Sequence, residues 1–137
     1  MSEHNFQSLI EAAQSARLQA VAPFSGFPVG AAVRSESGKI YTGCNIESAS
    51  YGLTVCAERV AIWKALSEGE RHFTELAVVA DTETLTPPCG TCRQIIWEFA
   101  RGATIVFANL KGESERFQMA ELLPRAFDAR FLRSAKK

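Results

Sequence analysis

Thr54-Val55-Cys56-Ala57-Glu58-Arg59 and Pro87-Pro88-Cys89-Gly90-Thr91-Cys92-Arg93-Gln94 are the two stretches around which the chain is organised. Cys56, Cys89 and Cys92 make a set of thiolate donors for one zinc ion per subunit. Three protein ligands leave a tetrahedral ion one open position, which separates catalytic from structural zinc. Glu58 follows the first donor by two residues. With a helix beginning at Cys56, its carboxylate reaches that open position without coordinating the metal. A water placed there lies between a Lewis acid and a base.

Composition narrows the remaining choices. A chain of 137 residues suits one domain, taken here as residues 1–137, with a sizeable core. Hydrophobic residues make up 47%, which speaks against disorder. Lys+Arg and Asp+Glu are both 15, so the net charge is zero and a nucleic-acid partner is disfavoured. No apolar run approaches a membrane span, and the polar start Met1-Ser2-Glu3-His4-Asn5 has no secretory core. The expectation is a soluble, cytoplasmic protein whose four cysteines are thiols or ligands, not disulfides.

Phe6–Ala22 has apolar residues at helical spacing, with Pro23 as its expected end. Ala31-Ala32-Val33 and Lys39-Ile40-Tyr41-Thr42, separated by the turn Ser35-Glu36-Ser37-Gly38, predict a β-hairpin. Thr54–Ser67 predicts a second helix, apolar around most of its circumference, which suggests a subunit contact as well as a core face. The run Leu76-Ala77-Val78-Val79-Ala80 fits a strand covered on both faces. A third helix follows from Pro88 to Phe99, then a strand at 103–108, a strand around Arg116 and a helical turn at 119–123. The tail from Asp128, with Arg130, Arg133, Lys136 and Lys137, is expected to be exposed and partly frayed. The order implies an α/β fold: a three-layer α/β/α sandwich on a mixed sheet of about five strands.

The metal motif, read with three other segments, resembles the small homotetrameric type of cytidine deaminase. The first segment is Phe24-Ser25-Gly26-Phe27-Pro28-Val29-Gly30-Ala31-Ala32. The second is Gly43-Cys44-Asn45-Ile46-Glu47-Ser48-Ala49-Ser50-Tyr51-Gly52, and the third is Leu122-Leu123-Pro124 with Phe127. Four motifs in family order, covering about Leu9 to Phe127, are far more specific than a lone Cys-x-x-Cys. Pro87, where serine is more usual, and Phe24, where tyrosine is common, depart from the pattern without removing a reactive group.

The resemblance implies zinc-dependent hydrolytic deamination of cytidine and 2′-deoxycytidine to the uracil nucleosides, with release of ammonia, in pyrimidine salvage. Such an enzyme is a hydrolase acting on C–N bonds of cyclic amidines. Glu58 is the implied proton carrier. Phe27 stacks on the pyrimidine, Asn45 and Glu47 bind sugar hydroxyls, and Ala57 borders the substrate. Arg59 is implied to hydrogen-bond the ligand thiolates, drawing charge from sulfur; Arg93 and Gln94 are weaker candidates for the same support. Tyr51 and Phe127 would reach a neighbouring subunit's site, making composite active sites in a tetramer.

Two other readings use the same residues differently. One keeps the chemistry on modified or N4-substituted cytidines or blasticidin-type nucleosides. The other is a non-catalytic zinc-stabilised module in which Cys44 closes a four-cysteine site; Cys44 otherwise reads as a small buried hydrophobe.

Overall fold

The computed structural model of the protein describes residues 3–135. Helix α1 (Glu3–Arg17) leads into the hairpin β1 (Val29–Ser35) and β2 (Ile40–Cys44). Helix α2 (Ala57–Ser67), strand β3 (Phe73–Ala80), helix α3 (Gly90–Ala100) and strand β4 (Thr104–Ala108) follow. Strand β5 (Ser114–Gln118), the short α4 (Met119–Leu122) and α5 (Ala129–Ala135) complete the order.

The five strands form one mixed sheet in the order β2-β1-β3-β4-β5. Strand β1 is antiparallel to both β2 and β3, and β4 is parallel to β3. Hence β2, β3 and β4 all run the same way. The chain leaves β2 for α2 and leaves β3 for α3, so both helices start beyond carboxyl ends of like-directed strands. That end of an open α/β sheet is where ligands bind.

Strand residues alternate between the two faces. Ala31, Val33, Leu76, Val78, Ile105 and Phe107 pack with α2 and α3 residues such as Ala61, Ile62 and Ile96. Ala32, Ala77, Val79, Val106 and Ala108 pack with Phe6, Leu9, Ile10 and Ala13 of α1. The expected three-layer sandwich is therefore observed, and β3 is covered on both faces.

Two glycines let helices approach the sheet closely. A Cβ on Gly30 would lie 1.9 Å from the Ala13 carbonyl oxygen of α1. A Cβ on Gly43 would lie 2.5 Å from both the Ala57 carbonyl oxygen and the Ala61 nitrogen of α2. Each close approach requires a residue without a side chain.

Three expectations need correcting. Helix α1 ends at Arg17, five residues before Ala22, because Leu18, Gln19 and Ala20 continue in tight turns and Val21 then pairs with Ile46. A tertiary pairing ends the helix before Pro23 does. Helix α2 starts at Ala57, with Cys56 as its N-cap rather than three residues earlier. The segment after Asp128 folds as α5 instead of fraying. Asp128 accepts from the Arg130 amide and guanidinium and from the Trp97 indole, so a buried carboxylate anchors α5 to α3. Lys136 and Lys137 of the expected tail, like Met1 and Ser2, lie outside the described residues, and no side-chain description extends to Arg133.

Candidate metal and nucleoside site

Cys56 and Cys89 are each the N-cap residue of a helix, with extended backbone before the first turn. The first turns of α2 and α3 thus aim free N–H groups and positive dipole ends toward one place. Cys92 occupies the third helical position of α3, and its N–H donates to the Cys89 sulfur at 3.5 Å. That is what a two-residue gap between cysteines does when the first one caps a helix.

The Sγ atoms of Cys56, Cys89 and Cys92 all lie within 4.8 Å of one another, and none is in a disulfide. Cys56 and Cys89 are 3.7 Å apart. Tetrahedral zinc with bonds of ~2.3 Å to sulfur has S···S edges of ~3.8 Å, so the donor set fits the ion. Cys44 does not belong to this cluster: it pairs with Gly30 in the hairpin and shares the α1 side of the sheet. The four-cysteine closed site is therefore not what the chain builds.

Charge around the sulfurs is compensated. The Cys56 thiol is lowered to about 5, first by a hydrogen bond from Cys92 and further by Arg59. The Cys92 thiol is pushed up by that same bond and then by burial. Arg59 Nη2 donates to the Cys56 sulfur at 3.6 Å and to the Thr54 carbonyl at 3.4 Å. Its guanidinium also lies over the Trp63 ring, 5.8 Å from the centroid.

Glu58 sits in the first turn of α2, where the helix dipole favours an acid, yet only 4% of it is exposed. Burial pushes its carboxyl up to about 7, with the negative Cys56 adding to the effect. Cys56, Ala57, Glu58 and Cys89 line one cavity of about 250 Å³, whose wall also includes Phe27, Asn45 and Glu47. The structure thus brings together most of the residues singled out in the sequence.

The segment carrying Asn45 and Glu47 is not a loose loop. Val21 donates to the Asn45 carbonyl, Glu47 N–H donates to Val21, and Ile46 exchanges two bonds with Val55. Val55 immediately precedes Cys56, so this stitching ties the wall to the metal cluster. Asn45 and Glu47 both line the cavity, but much of their hydrogen-bonding capacity serves the wall itself. Asn45 Oδ1 accepts from Val29 N–H and Nδ2 donates to the Phe27 carbonyl, both at 2.9 Å. Glu47 accepts from the Phe24 and Ser25 amides and from the Ser25 hydroxyl. The Ser25 hydroxyl first, then these amides, hold its carboxyl below the ordinary value.

Other expected residues stand elsewhere. Tyr51 is 75% exposed, meets Phe24 edge-on at 5.9 Å and lines an adjoining cleft that shares Ser25, Glu47 and Thr54. Phe127 does not line the cavity of its own chain; it is exposed and stacks on Phe131 at 5.7 Å. Arg93 and Gln94 do not contact the sulfurs. Arg93 donates to the Pro88 and Leu122 carbonyls at 2.9 Å, bracing the Cys89 loop against α4, and Gln94 donates to Glu98 and to the Phe127 carbonyl. Ser25, Val29, Thr54, Val78 and Thr86, together with Pro87 at the rim, also line the cavity. Sequence reasoning gave Ser25 and Thr86 no role, because their types are common in loops; only the closure of the pocket singles them out.

Comparison with known proteins agrees with this geometry. A family model described as the cytidine and deoxycytidylate deaminase zinc-binding region matches residues 3–108. The chain is 54% identical to a cytidine deaminase of Sporosarcina psychrophila, covering 88% of this chain and 90% of that protein. It is 50% identical to one of Halalkalibacterium halodurans, covering 90% of this chain and 94% of that protein. Among solved structures, a cytidine deaminase of Burkholderia pseudomallei superposes with a TM-score of 0.85 at 45% identity, covering 93% of this chain and all of that one. One from Mycobacterium tuberculosis gives a TM-score of 0.79 at 35% identity, covering 90% and 97%. With a zinc-binding motif of three convergent thiols, the fold of these structures and identity sustained over most of its length, the chain belongs to the cytidine and deoxycytidylate deaminase family.

Proposed function

We propose that the protein deaminates cytidine and 2′-deoxycytidine hydrolytically to uridine and 2′-deoxyuridine, releasing ammonia, within one catalytic domain spanning residues 1–137. The observation that carries this reading is a buried carboxyl, Glu58, sharing one cavity with the Cys56 and Cys89 sulfurs and with the Phe27–Asn45–Glu47 wall.

Cys56, Cys89 and Cys92 hold zinc, which when bound supplies a Lewis acid that activates water for attack at C4 of the pyrimidine. Phe27 stacks against the ring, an interaction of ~1–3 kcal/mol that also excludes water from that face. Asn45 and Glu47 orient the sugar and, through it, the base. Ala57, at the first position of α2, borders the ring without obstructing it. Glu58 accepts a proton from the attacking water and delivers it to N3, then takes the proton of the new C4 hydroxyl and passes it to the departing exocyclic amine, leaving the C4 carbonyl. Its burial serves this task, because a carboxyl shielded from bulk water exchanges protons with the substrate rather than the solvent. Arg59 donates to Cys56 and withdraws charge from sulfur, which keeps a three-thiolate site acidic enough for its task.

The same reading includes a homotetramer in the cytoplasm, acting in pyrimidine salvage. Supporting it, Tyr51 and Phe127 are exposed aromatics outside their own chain's cavity, as residues that reach a neighbour's site would be. The three clustered thiols are unpaired, as a reducing compartment maintains them. Among the described residues, no helix is long and apolar enough to cross a membrane.

The test is turnover by zinc-loaded protein, followed both by loss of cytosine absorbance and by ammonia release. Cytidine, 2′-deoxycytidine, an N4-substituted cytidine and a blasticidin-type nucleoside form the panel. Turnover of the first two is expected; activity confined to the last two would replace the substrate assignment.

A further inference from the structure

A hydrogen-bonded circuit closes the lip of the cavity. Ser25 Oγ donates to Glu47 Oε2 and accepts from Phe27 N–H at 3.0 Å. Glu47 Oε1 accepts from the amides of Phe24 and Ser25, at 2.9 and 3.0 Å. From the other side, the Phe27 carbonyl accepts from Asn45 Nδ2. The peptide groups flanking the Phe27 side chain are therefore both held by the segment that carries Asn45 and Glu47. One is held directly by Asn45; the other is held through a single hydroxyl. Between Ser25 and Phe27, Gly26 adopts φ 65°, a left-handed turn that brings the hydroxyl back over the chain.

A serine hydroxyl has one proton and two lone pairs. Committing the proton to Glu47 fixes the rotor and leaves a lone pair facing the Phe27 amide. The bond to an ionised acceptor is the stronger kind. It also polarises the oxygen, strengthening its acceptance from Phe27.

We propose that Ser25 is a positioning residue that locks the sugar-binding carboxylate Glu47 and the base-stacking ring of Phe27 into one unit. The proposal rests on the nucleoside-deaminase reading of the cavity. Ser25 bonds to no sulfur and not to Glu58, so its loss loosens the hold on the nucleoside more than it slows the chemistry. Because the two subsites are tied through one hydroxyl, the effect of removing it depends on Glu47.

The experiment is steady-state kinetics with cytidine on zinc-loaded wild type, Ser25→Ala, Ser25→Thr, Glu47→Gln and the Ser25→Ala/Glu47→Gln double variant, with zinc content measured on each. Ser25→Ala is expected to raise KM about tenfold, the scale of one hydrogen bond to a charged group. Its kcat is expected to fall by less than about threefold, the signature of lost substrate binding. Ser25→Thr restores most of the KM, since the hydroxyl is kept. In the Glu47→Gln background the alanine change costs under about twofold, which is the coupling that residues in one network show. An unchanged KM in Ser25→Ala, full additivity with Glu47→Gln, or Ser25→Thr no better than alanine would overturn the role. Should Ser25→Ala not give folded protein, Ser25→Cys takes its place under the same criteria. Zinc-loaded wild type that turns over no cytidine overturns the deaminase reading itself; active wild type with an indifferent Ser25 overturns the positioning role alone.

Discussion

The two faces of the sheet use the same device for different ends. On one face Gly30 admits the last turn of α1, and on the other Gly43 admits the first turn of α2. Contact at the last turn of α1 changes how well that helix packs. Contact at a first turn also sets where its N-cap points, and the N-cap of α2 is Cys56. The α1 face carries an apolar cluster and an ion pair between the partly exposed Arg34 and the buried Glu75, at 2.7 Å. The α2/α3 face carries an apolar cluster that ends in two helix starts, three sulfurs and Glu58. One face holds the sheet together, while the other also holds chemistry.

The largest effect that sharpens this contrast is expected from Glu58→Gln. It keeps shape and removes the proton carrier, so kcat should fall about a thousandfold with zinc content unchanged. Full-speed deamination by that variant would remove Glu58 from the mechanism. Next comes stripping the metal with a strong chelator. Turnover should vanish and return with added zinc, because a metal that binds only the folded state also stabilises it. Hydrogen exchange should then show protection falling at the starts of α2 and α3 before it falls in α1. Loss that is even across both faces would break the comparison.

The glycines give the most direct test. Gly30→Ala and Gly43→Ala should each cost about 3 kcal/mol, the upper range for forcing a methyl into a packed contact. Denaturant unfolding measures this. Only Gly43→Ala should also weaken zinc affinity, by about tenfold, through the displaced first turn. Equal zinc affinity in both variants would mean that the close approach at Gly43 does not aim Cys56.

The smallest change is expected from Arg34→Ala, which strands the Glu75 carboxylate among α1-side residues. Glu75 is 1% exposed and one of its oxygens has no hydrogen-bond partner among the described residues. Breaking such a pair costs 3–5 kcal/mol when both ends are buried; with Arg34 partly in solvent, about 2 kcal/mol is expected. The kcat/KM of the folded enzyme should not move, and a drop in it would show that the two faces communicate.

Residues that signal locally were readable in advance. Cys56, Cys89 and Cys92 announce themselves by type and spacing, and Glu58 by its place two residues beyond a ligand. The β3 run is legible because a strand covered on both faces has no polar alternation. By contrast, α1 stops at Arg17 through a pairing of Val21 with Ile46, and no nearby residue reports a partner 25 positions away. Asp128 looked like part of a charged tail, yet it is buried against Trp97 and Arg130 and anchors the start of α5. Arg93 sat beside a ligand and seemed suited to the sulfurs, but two carbonyls claim its guanidinium.

The amino-acid order by itself pointed to the donor set, the proposed proton carrier and the alternation of strands and helices, because each is written in side-chain chemistry or short-range periodicity. Only the tertiary structure decided that two helix starts meet, which wall residues are tied to one another, and that Cys44 lies across the sheet from the other thiols. Those outcomes depend on strand direction, register and close approach at Gly30 and Gly43. They are relations between distant segments, and they come into being only when the chain packs.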